Sequence, residues 1–243
     1  MTTLIKIIVA SILSLSLFSC NFDINLSSGV RGNGEVVTTE RPVNEPFSTI
    51  KANEGLDVYL TQSDIEAIRV EADENLQDLI LTEIENGVLK IHCKKQIGKA
   101  TSKKVNVSFK DISSIESTSG SDVYATNTIT AEKLDLKSTS GSDMNLDVNT
   151  SILNCESTSG SDMRLSGRTS KLIAEATSGS DIKAADLIAD SSAVKATSGA
   201  DITVNTKNSL TAKTSSGGDI SYYGNPSTVD KNKDVSGGHI KRK

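Results

Sequence analysis

Apolar and polar residues alternate with period two along most of this chain, in short runs separated by glycine-containing corners, a pattern that predicts β-strands rather than helices. The alternation is most regular after Ile112. Counted from one recurring glycine, the position five before it holds Ile115, Leu136, Cys155, Ala174, Val194 and Ala212, and the position three before it Ser117, Ser138, Ser157, Ala176, Ala196 and Thr214. Three after it stand Val123, Met144, Met163, Ile182, Ile202 and Ile220, and five after it Ala125, Leu146, Leu165, Ala184, Val204 and Tyr222. The position four before it is charged in each copy: Glu116, Lys137, Glu156, Glu175, Lys195 and Lys213. Inward runs on both sides of a glycine corner predict two strands per repeat facing one core, with small residues near the corner and larger ones beyond it.

The corner itself is the repeat. Thr-Ser-Gly-Ser-Asp occurs at residues 118–122, 139–143, 158–162 and 177–181, returns as Thr-Ser-Gly-Ala-Asp at 197–201, and degenerates at 215–219 and 236–239. The glycines are Gly120, Gly141, Gly160, Gly179, Gly199, Gly217 and Gly237, in steps of 21, 19, 19, 20, 18 and 20 residues. A self-similar period near 20 marks one supersecondary unit stacked many times. The expected fold is therefore all-β: a right-handed parallel β-helix with rungs of about 20 residues, some 4.8 Å apart, and roughly 30 Å long for six or seven rungs.

Upstream, Ser48 to Thr61 matches the later repeats around Gly55 and Asp57 and reads as a first rung. Beyond it Ala67 to Ala72 alternates, Glu74 to Leu79 suits a helical turn, and Asn86-Gly87 joins two alternating runs. Asn-Gly in that setting signals a type I′ hairpin, because both residues accept positive φ. The expected organisation is a leader at 1–19, a flexible tether at 20–35, a first rung with a hairpin-containing β cap or insertion at 36–111, and the solenoid at 112–243. The last coil, with Ile240 as its apolar anchor, should fray into the solvated tail Lys241-Arg242-Lys243.

Composition adjusts this picture in three ways. With 36% hydrophobic and 3% aromatic residues and no Trp, the core must be thin and aliphatic. A net charge of −5 gives no basic footprint for nucleic acid. The leader has Lys6, an apolar run from Ile7 to Phe18, and Cys20 at its end, the layout of a lipoprotein signal in which Cys20 becomes the acylated first residue. The expected location is the cell envelope, lipid-anchored, at the outer membrane. Cys93 and Cys155 fall in apolar-phase positions and read as buried small hydrophobes.

The candidate chemistry centres on the corner ladder of Gly120 and Asp122, Gly141 and Asp143, Gly160 and Asp162, Gly179 and Asp181, Gly199 and Asp201, Gly217 and Asp219. Like charges about 4.8 Å apart repel by on the order of 1 kcal/mol even in water, so something must offset them. One reading has each Asp accept N–H groups of its own turn while Ser119, Ser140, Ser159, Ser178 and Ser198 satisfy the rest of the corner. The other is a row of Ca²⁺ ions held by Asp122, Asp143, Asp162, Asp181 and Asp201, although one carboxylate per rung is few for an ion that takes six to eight oxygens. No cofactor is called for. His92 and His239, the only histidines, have no Ser or Cys nucleophile in a recognisable pattern. The half-polar column Thr118, Thr139, Thr158, Thr177 and Thr197 is the candidate contact face. Tyr124, Tyr222 and Tyr223 are the solenoid's aromatic candidates for a sugar ring.

The leader, the stretches Gly55-Leu56-Asp57-Val58-Tyr59-Leu60 and Val70-Glu71-Ala72-Asp73-Glu74-Asn75-Leu76, the hairpin Asn86-Gly87-Val88-Leu89-Lys90-Ile91 and the Ser-Gly-Ser-Asp repeats together resemble the "putative auto-transporter adhesin, head GIN domain" family of Bacteroidetes-type envelope lipoproteins. The resemblance runs from about Val36 to Lys243, with Gly55-Leu56-Asp57 in place of Gly-Ile-Asn. It implies a β-helical envelope protein engaged in adhesion and brings no catalytic residues. The expected function is thus a non-enzymatic adhesin or surface-interaction module binding a protein, a glycan or another copy of itself. The alternatives are a β-helix lyase or hydrolase and an envelope scaffold.

Overall fold

The structure, a computed structural model, describes residues 29–234 and 236–243. The leader and Cys20 lie outside them. The first elements are β1 (Val36–Arg41), β2 (Thr49–Ala52), β3 (Asp57–Gln62), β4 (Ala67–Asp73), a 3-10 turn at Glu74–Leu76, β5 (Ile80–Glu85), β6 (Val88–Cys93) and β7 (Lys103–Phe109). Then come β8 (Ser114–Ser117), β9 (Asp122–Ala125), β10 (Ile129–Thr139), β11 (Asp143–Thr158), β12 (Asp162–Thr177), β13 (Asp181–Thr197), β14 (Asp201–Ser215), β15 (Asp219–Tyr223), β16 (Thr228–Lys233) and β17 (Ile240–Arg242). From β8 onward every pairing is parallel and in the register the repeats dictate: Leu136 on Cys155, Cys155 on Ala174, Ala174 on Val194, Val194 on Ala212. The molecule is a parallel β-solenoid.

Among the described residues seven corners turn the chain, each a residue with φ near +60° followed by a glycine of positive φ: Glu54-Gly55, Ser119-Gly120, Ser140-Gly141, Ser159-Gly160, Ser178-Gly179, Ser198-Gly199 and Ser216-Gly217. Two successive positive φ angles are the type I′ requirement, and Asn86-Gly87 meets it in the hairpin. The rungs differ from expectation in one respect. A full rung such as β11 is a single 16-residue strand rather than two. Burial falls on even-numbered residues from Met144 to Thr150 and on odd-numbered ones from Leu153 to Ser157. The phase change marks a second bend that needs no glycine, and the parallel ladder runs through it unbroken. Ile129 to Ala131 pairs with Val148 to Thr150, which pairs with residues 167–169, so this middle stretch forms a third paired side.

The core is the aliphatic column set read from the pattern, with Val123, Met144, Met163, Ile182, Ile202 and Ile220 all buried. Phe47 and Phe109 plug its start. Rung one is where Gly55 placed it, since β2 stacks on β8 and β3 on β9. The other flanks of β2 and β3 pair with β6 and β7, and antiparallel β5, β4 and β1 complete a cap at this end rather than an insertion between rungs. Backbone pairing begins before Val36. Val30 bridges to Ile97, the Gly32 N–H donates to Lys99 O at 3.0 Å, and the Gly34 N–H donates to the buried Asp73 carboxylate at 2.8 Å. At the far end β17 pairs with β15 and Ile240 packs on the core, while β16 is exposed throughout.

Candidate functional site

The corner is held by its second serine. Ser142 is fully buried, and its Oγ lies 2.8 Å from Ser138 Oγ, accepts the Thr139 N–H at 3.1 Å, and reaches Ser117 O of the preceding rung at 2.8 Å and Thr139 O at 2.9 Å. Ser121 and Ser161 repeat this arrangement, and Ser180 keeps it without the Oγ partner because Ala176 replaces the serine four residues before it. A hydroxyl has one proton to donate and two lone pairs, so this group satisfies both its own turn and the rung beneath. A second vertical tie runs from each corner glycine: Gly120, Gly141 and Gly160 N–H donate to Ser140, Ser159 and Ser178 O, each at 3.2 Å.

This corrects the assignment made to the other serines. Ser119, Ser140, Ser159, Ser178 and Ser198 occupy the left-handed first corner position and face solvent. Their contribution is conformational. The buried column Ser121, Ser142, Ser161, Ser180, Ala200, Gly218 has one visible signature in the sequence: it is never charged and never large.

The carboxylates stack in register from Asp57 through Asp122, Asp143, Asp162, Asp181 and Asp201 to Asp219. They do not close their own turns. Lys183 Nζ sits between two rungs, 3.1 Å from Asp162 and 3.0 Å from Asp181, and Arg164 approaches Asp162 at 3.8 Å. The hydrogen bond to Asp181, joined by that to Asp162, holds the Lys183 ammonium above its usual pKa. Burial, then the neighbouring carboxylates, pushes Asp122 and Asp201 above the ordinary carboxylate range. Asp122 faces Asp143 and Asp57, and Asp201 faces Asp181 and Asp219. Among the described residues no three Asp, Glu, His or Cys side chains converge at metal-ligand distance, so the calcium row finds no cluster to hold it.

Next to the aspartates runs an outward column of Tyr59, Tyr124, Asn145, Arg164, Lys183, Thr203, Ser221 and Lys241. Tyr59 and Tyr124 stack with centroids 5.1 Å apart. The pairing was not legible in the sequence, because Tyr59 and Tyr124 meet only when rung one is laid on rung two. Tyr222 turns inward and is buried, whereas Tyr223 is exposed. Further along this face a depression of about 410 Å³ is lined by Asn145, Arg164, Ser166, Lys183, Asp186 and Thr203, with one carboxylate. On the other flat side, the charged outer column pairs across rungs: Lys51 with Glu116 at 2.9 Å, Lys137 with Glu156 at 3.1 Å, and Lys195 with Glu175 at 2.6 Å. Exposed pairs of this kind contribute little each and mainly relieve like-charge stacking. The Thr column from Thr118 to Thr197 is half-exposed beside the corner.

The remaining reactive groups are dispersed. His92 Nε2 lies 3.0 Å from Glu83 on the cap hairpin, and the His239 N–H donates to Asp219 at the far end. Cys93 and Cys155 are free and buried, and burial pushes the Cys93 thiol up to about 11. Asp73 is the group the sequence did not mark. It is buried and accepts N–H groups from Ser102, Thr101 and Gly34 at 2.9, 3.0 and 2.8 Å, which holds its pKa below the usual range.

Geometry and repetition define the class first: a β-solenoid whose distinctive surface is a stacked corner ridge. The chain belongs to the family described as "Putative auto-transporter adhesin, head GIN domain", whose model matches residues 46–226. It is similar in fold to a crystal structure of a putative adhesin from Bacteroides fragilis, at 22% identity and TM-score 0.82, covering 88% of this chain and 100% of that one. A putative adhesin from Parabacteroides merdae (19% identity, TM-score 0.69, 88% and 98% covered) is similar as well. So is a protein from Parabacteroides distasonis described as a putative lipid binding protein (20% identity, TM-score 0.70, 88% and 99% covered). Among curated proteins none matches the chain. An adhesin-type family places the chain among surface or envelope proteins.

Proposed function

We propose that this protein is a non-enzymatic envelope lipoprotein, exported by its leader, acylated at Cys20, held at the outer membrane, and acting as an adhesin or surface-interaction module. The observation that carries the reading is repetition. The same half-exposed Thr and exposed Ser-Gly face solvent on successive rungs, which suits an extended partner, protein or glycan, better than one small substrate. Across the corner from that face, the half-exposed Tyr59–Tyr124 stack adds an aromatic surface of the amphipathic kind that favours interfaces. A glycoside-cleaving reading needs two non-equivalent carboxylates across one groove. The depression at Arg164 holds Asp186 alone, and on the opposite side Glu116, Glu156 and Glu175 line a second depression as copies of one repeated column, each paired with a lysine, while Asp135 beside them is engaged by Lys133 at 3.1 Å and Asn154 at 2.5 Å.

Membrane fractionation and capture from surface-labelled cells, with the native chain and with Cys20→Ser, test the proposal. The native chain should sediment with membranes and retain a labelled partner, and Cys20→Ser should be released. Membrane association that survives Cys20→Ser would remove the lipid anchor, and capture abolished by Asp186→Asn but not by Tyr124→Ala would favour a single chemical site.

A further inference from the structure

Among the described residues, two sides of the solenoid end in strands paired on one flank only. On one side the ladder runs β5, β6, β2, β8, through the second halves of β10 to β14, to β16. On the other it runs β1, β4, β7, β3, β9, through the first halves of β11 to β14, to β15 and β17. Unpaired edges are templates for another chain, and exposed apolar side chains lie on them: Val36 and Val37 on β1, Val229 on β16.

The edges differ in charge. The outer cap segments, residues 35–45 and 74–85, hold seven carboxylates against Arg41 alone, while residues 228–243 hold five Lys or Arg against two Asp. The surroundings soften this contrast without reversing it, since Glu83 and Glu85 meet His92 and Lys90 of the next strand at 3.0 and 3.2 Å. Residues 29–111 as a whole hold fourteen acidic and eleven basic side chains. Lysines on an edge guard against self-pairing when every copy meets the same edge. Tip to tip and cap to cap bring like charges together, but tip to cap brings opposite ones.

We propose that the protein stacks head to tail on copies of itself, with β16 and β17 of one copy laid against β5 and β1 of the next. In that orientation β5 runs antiparallel to β16 and β1 parallel to β17, since β5 opposes β6 and β1 is two antiparallel steps from β7. The contact is heterologous and does not close, so growth is linear. This inference stands apart from the adhesive reading and from the lipid anchor.

Sedimentation velocity of the full chain in a non-ionic detergent, at about 20 mM and about 1 M salt, tests it, because a screening length near 3 Å at the higher salt removes the attraction. At low salt the weight-average mass should rise at least twofold with concentration and fall back at high salt. Lys231→Glu with Lys233→Glu, and separately Glu83→Lys with Glu85→Lys, should each abolish the rise, and an equimolar mixture of the two should restore it. Circular dichroism melts establish that both variants fold. A monomer at every concentration, an association indifferent to salt, or reversed variants that associate like the native chain would overturn the proposal.

Discussion

Truncating Ser161 to alanine isolates the device that holds a corner. Ser161 Oγ accepts the Thr158 N–H at 3.1 Å and has one proton, shared between Ser138 O at 2.8 Å and Thr158 O at 2.9 Å. Its neighbour Ser157 keeps an alternative acceptor, Ser161 O at 3.0 Å, and the equivalent corner amide of the first copy, Thr118 N–H, donates to Ala52 O at 3.0 Å as well as to Ser121 Oγ, so the truncation removes the hydroxyl's own bonds rather than orphaning an amide. Losing the hydrogen bonds of one buried hydroxyl costs about 0.5–1.5 kcal/mol net. For a chain of this length that lowers the melting midpoint by roughly 2–4 °C per kcal/mol. Ser159→Ala, at the exposed position one residue from Thr158, should stay within about 0.5 kcal/mol. Stacked repeats contribute mainly through nearest neighbours, so loss of amide-exchange protection should centre on the rungs of β11, β12 and β13 and spare the cap. The sequence performs a milder version itself: Ala200 replaces the serine, and its N–H still reaches Thr197 O, at 3.3 Å. Equal urea midpoints for Ser161→Ala and Ser159→Ala would refute the reasoning.

Glycine substitutions should separate two costs. Gly160→Ala meets no atom within 4 Å but has φ +69°, so thermal melts should show only the left-handed penalty of about 1–2 kcal/mol, whereas Gly167→Ala, whose Cβ would stand 2.1 Å from Val148 O, should lose clearly more. The pH dependence has two opposed parts. Asp122 and Asp201 have raised pKa values, so the folded state binds their protons more tightly, and stability should rise as pH falls from neutrality through the raised values towards 3.8; Asp122→Asn should be more stable than the native chain at neutral pH and lose part of that rise. Asp73 has the opposite sign: its contribution is complete above 3.8 and lost as pH falls through its lowered value, so acid melts should turn over there. Asp73→Ala should free the N–H groups of Gly34, Thr101 and Ser102, and limited proteolysis should then cut within residues 29–35 and 94–102 before the solenoid.

Much of this architecture was legible in the residues because a solenoid writes each structural requirement once per rung. The glycine period, the inward columns and the Asn86-Gly87 hairpin all follow from one-dimensional rules, and each recurs in the three-dimensional register. Three features depended on stacking and were hidden. The second bend of each rung leaves only a phase change between Thr150 and Leu153, since a polar, extended segment turns there without glycine. The Tyr59–Tyr124 stack joins residues 65 positions apart. Asp73 gathers N–H groups from two loops that nothing in its own segment announces. The corner carried the opposite difficulty. Its aspartates look like chemistry because they repeat, yet the hydrogen bonds belong to the quiet serine beside them.

Calorimetric titration of the full chain with Ca²⁺, paired with thermal melts in chelator, bears most directly on whether that repeated corner is architecture or a binding site. The structure, with Lys183 already lodged between Asp162 and Asp181, predicts no saturable heat and the same melting midpoint with and without chelator. A saturable heat with several ions per chain, and a midpoint that falls in chelator, would contradict it.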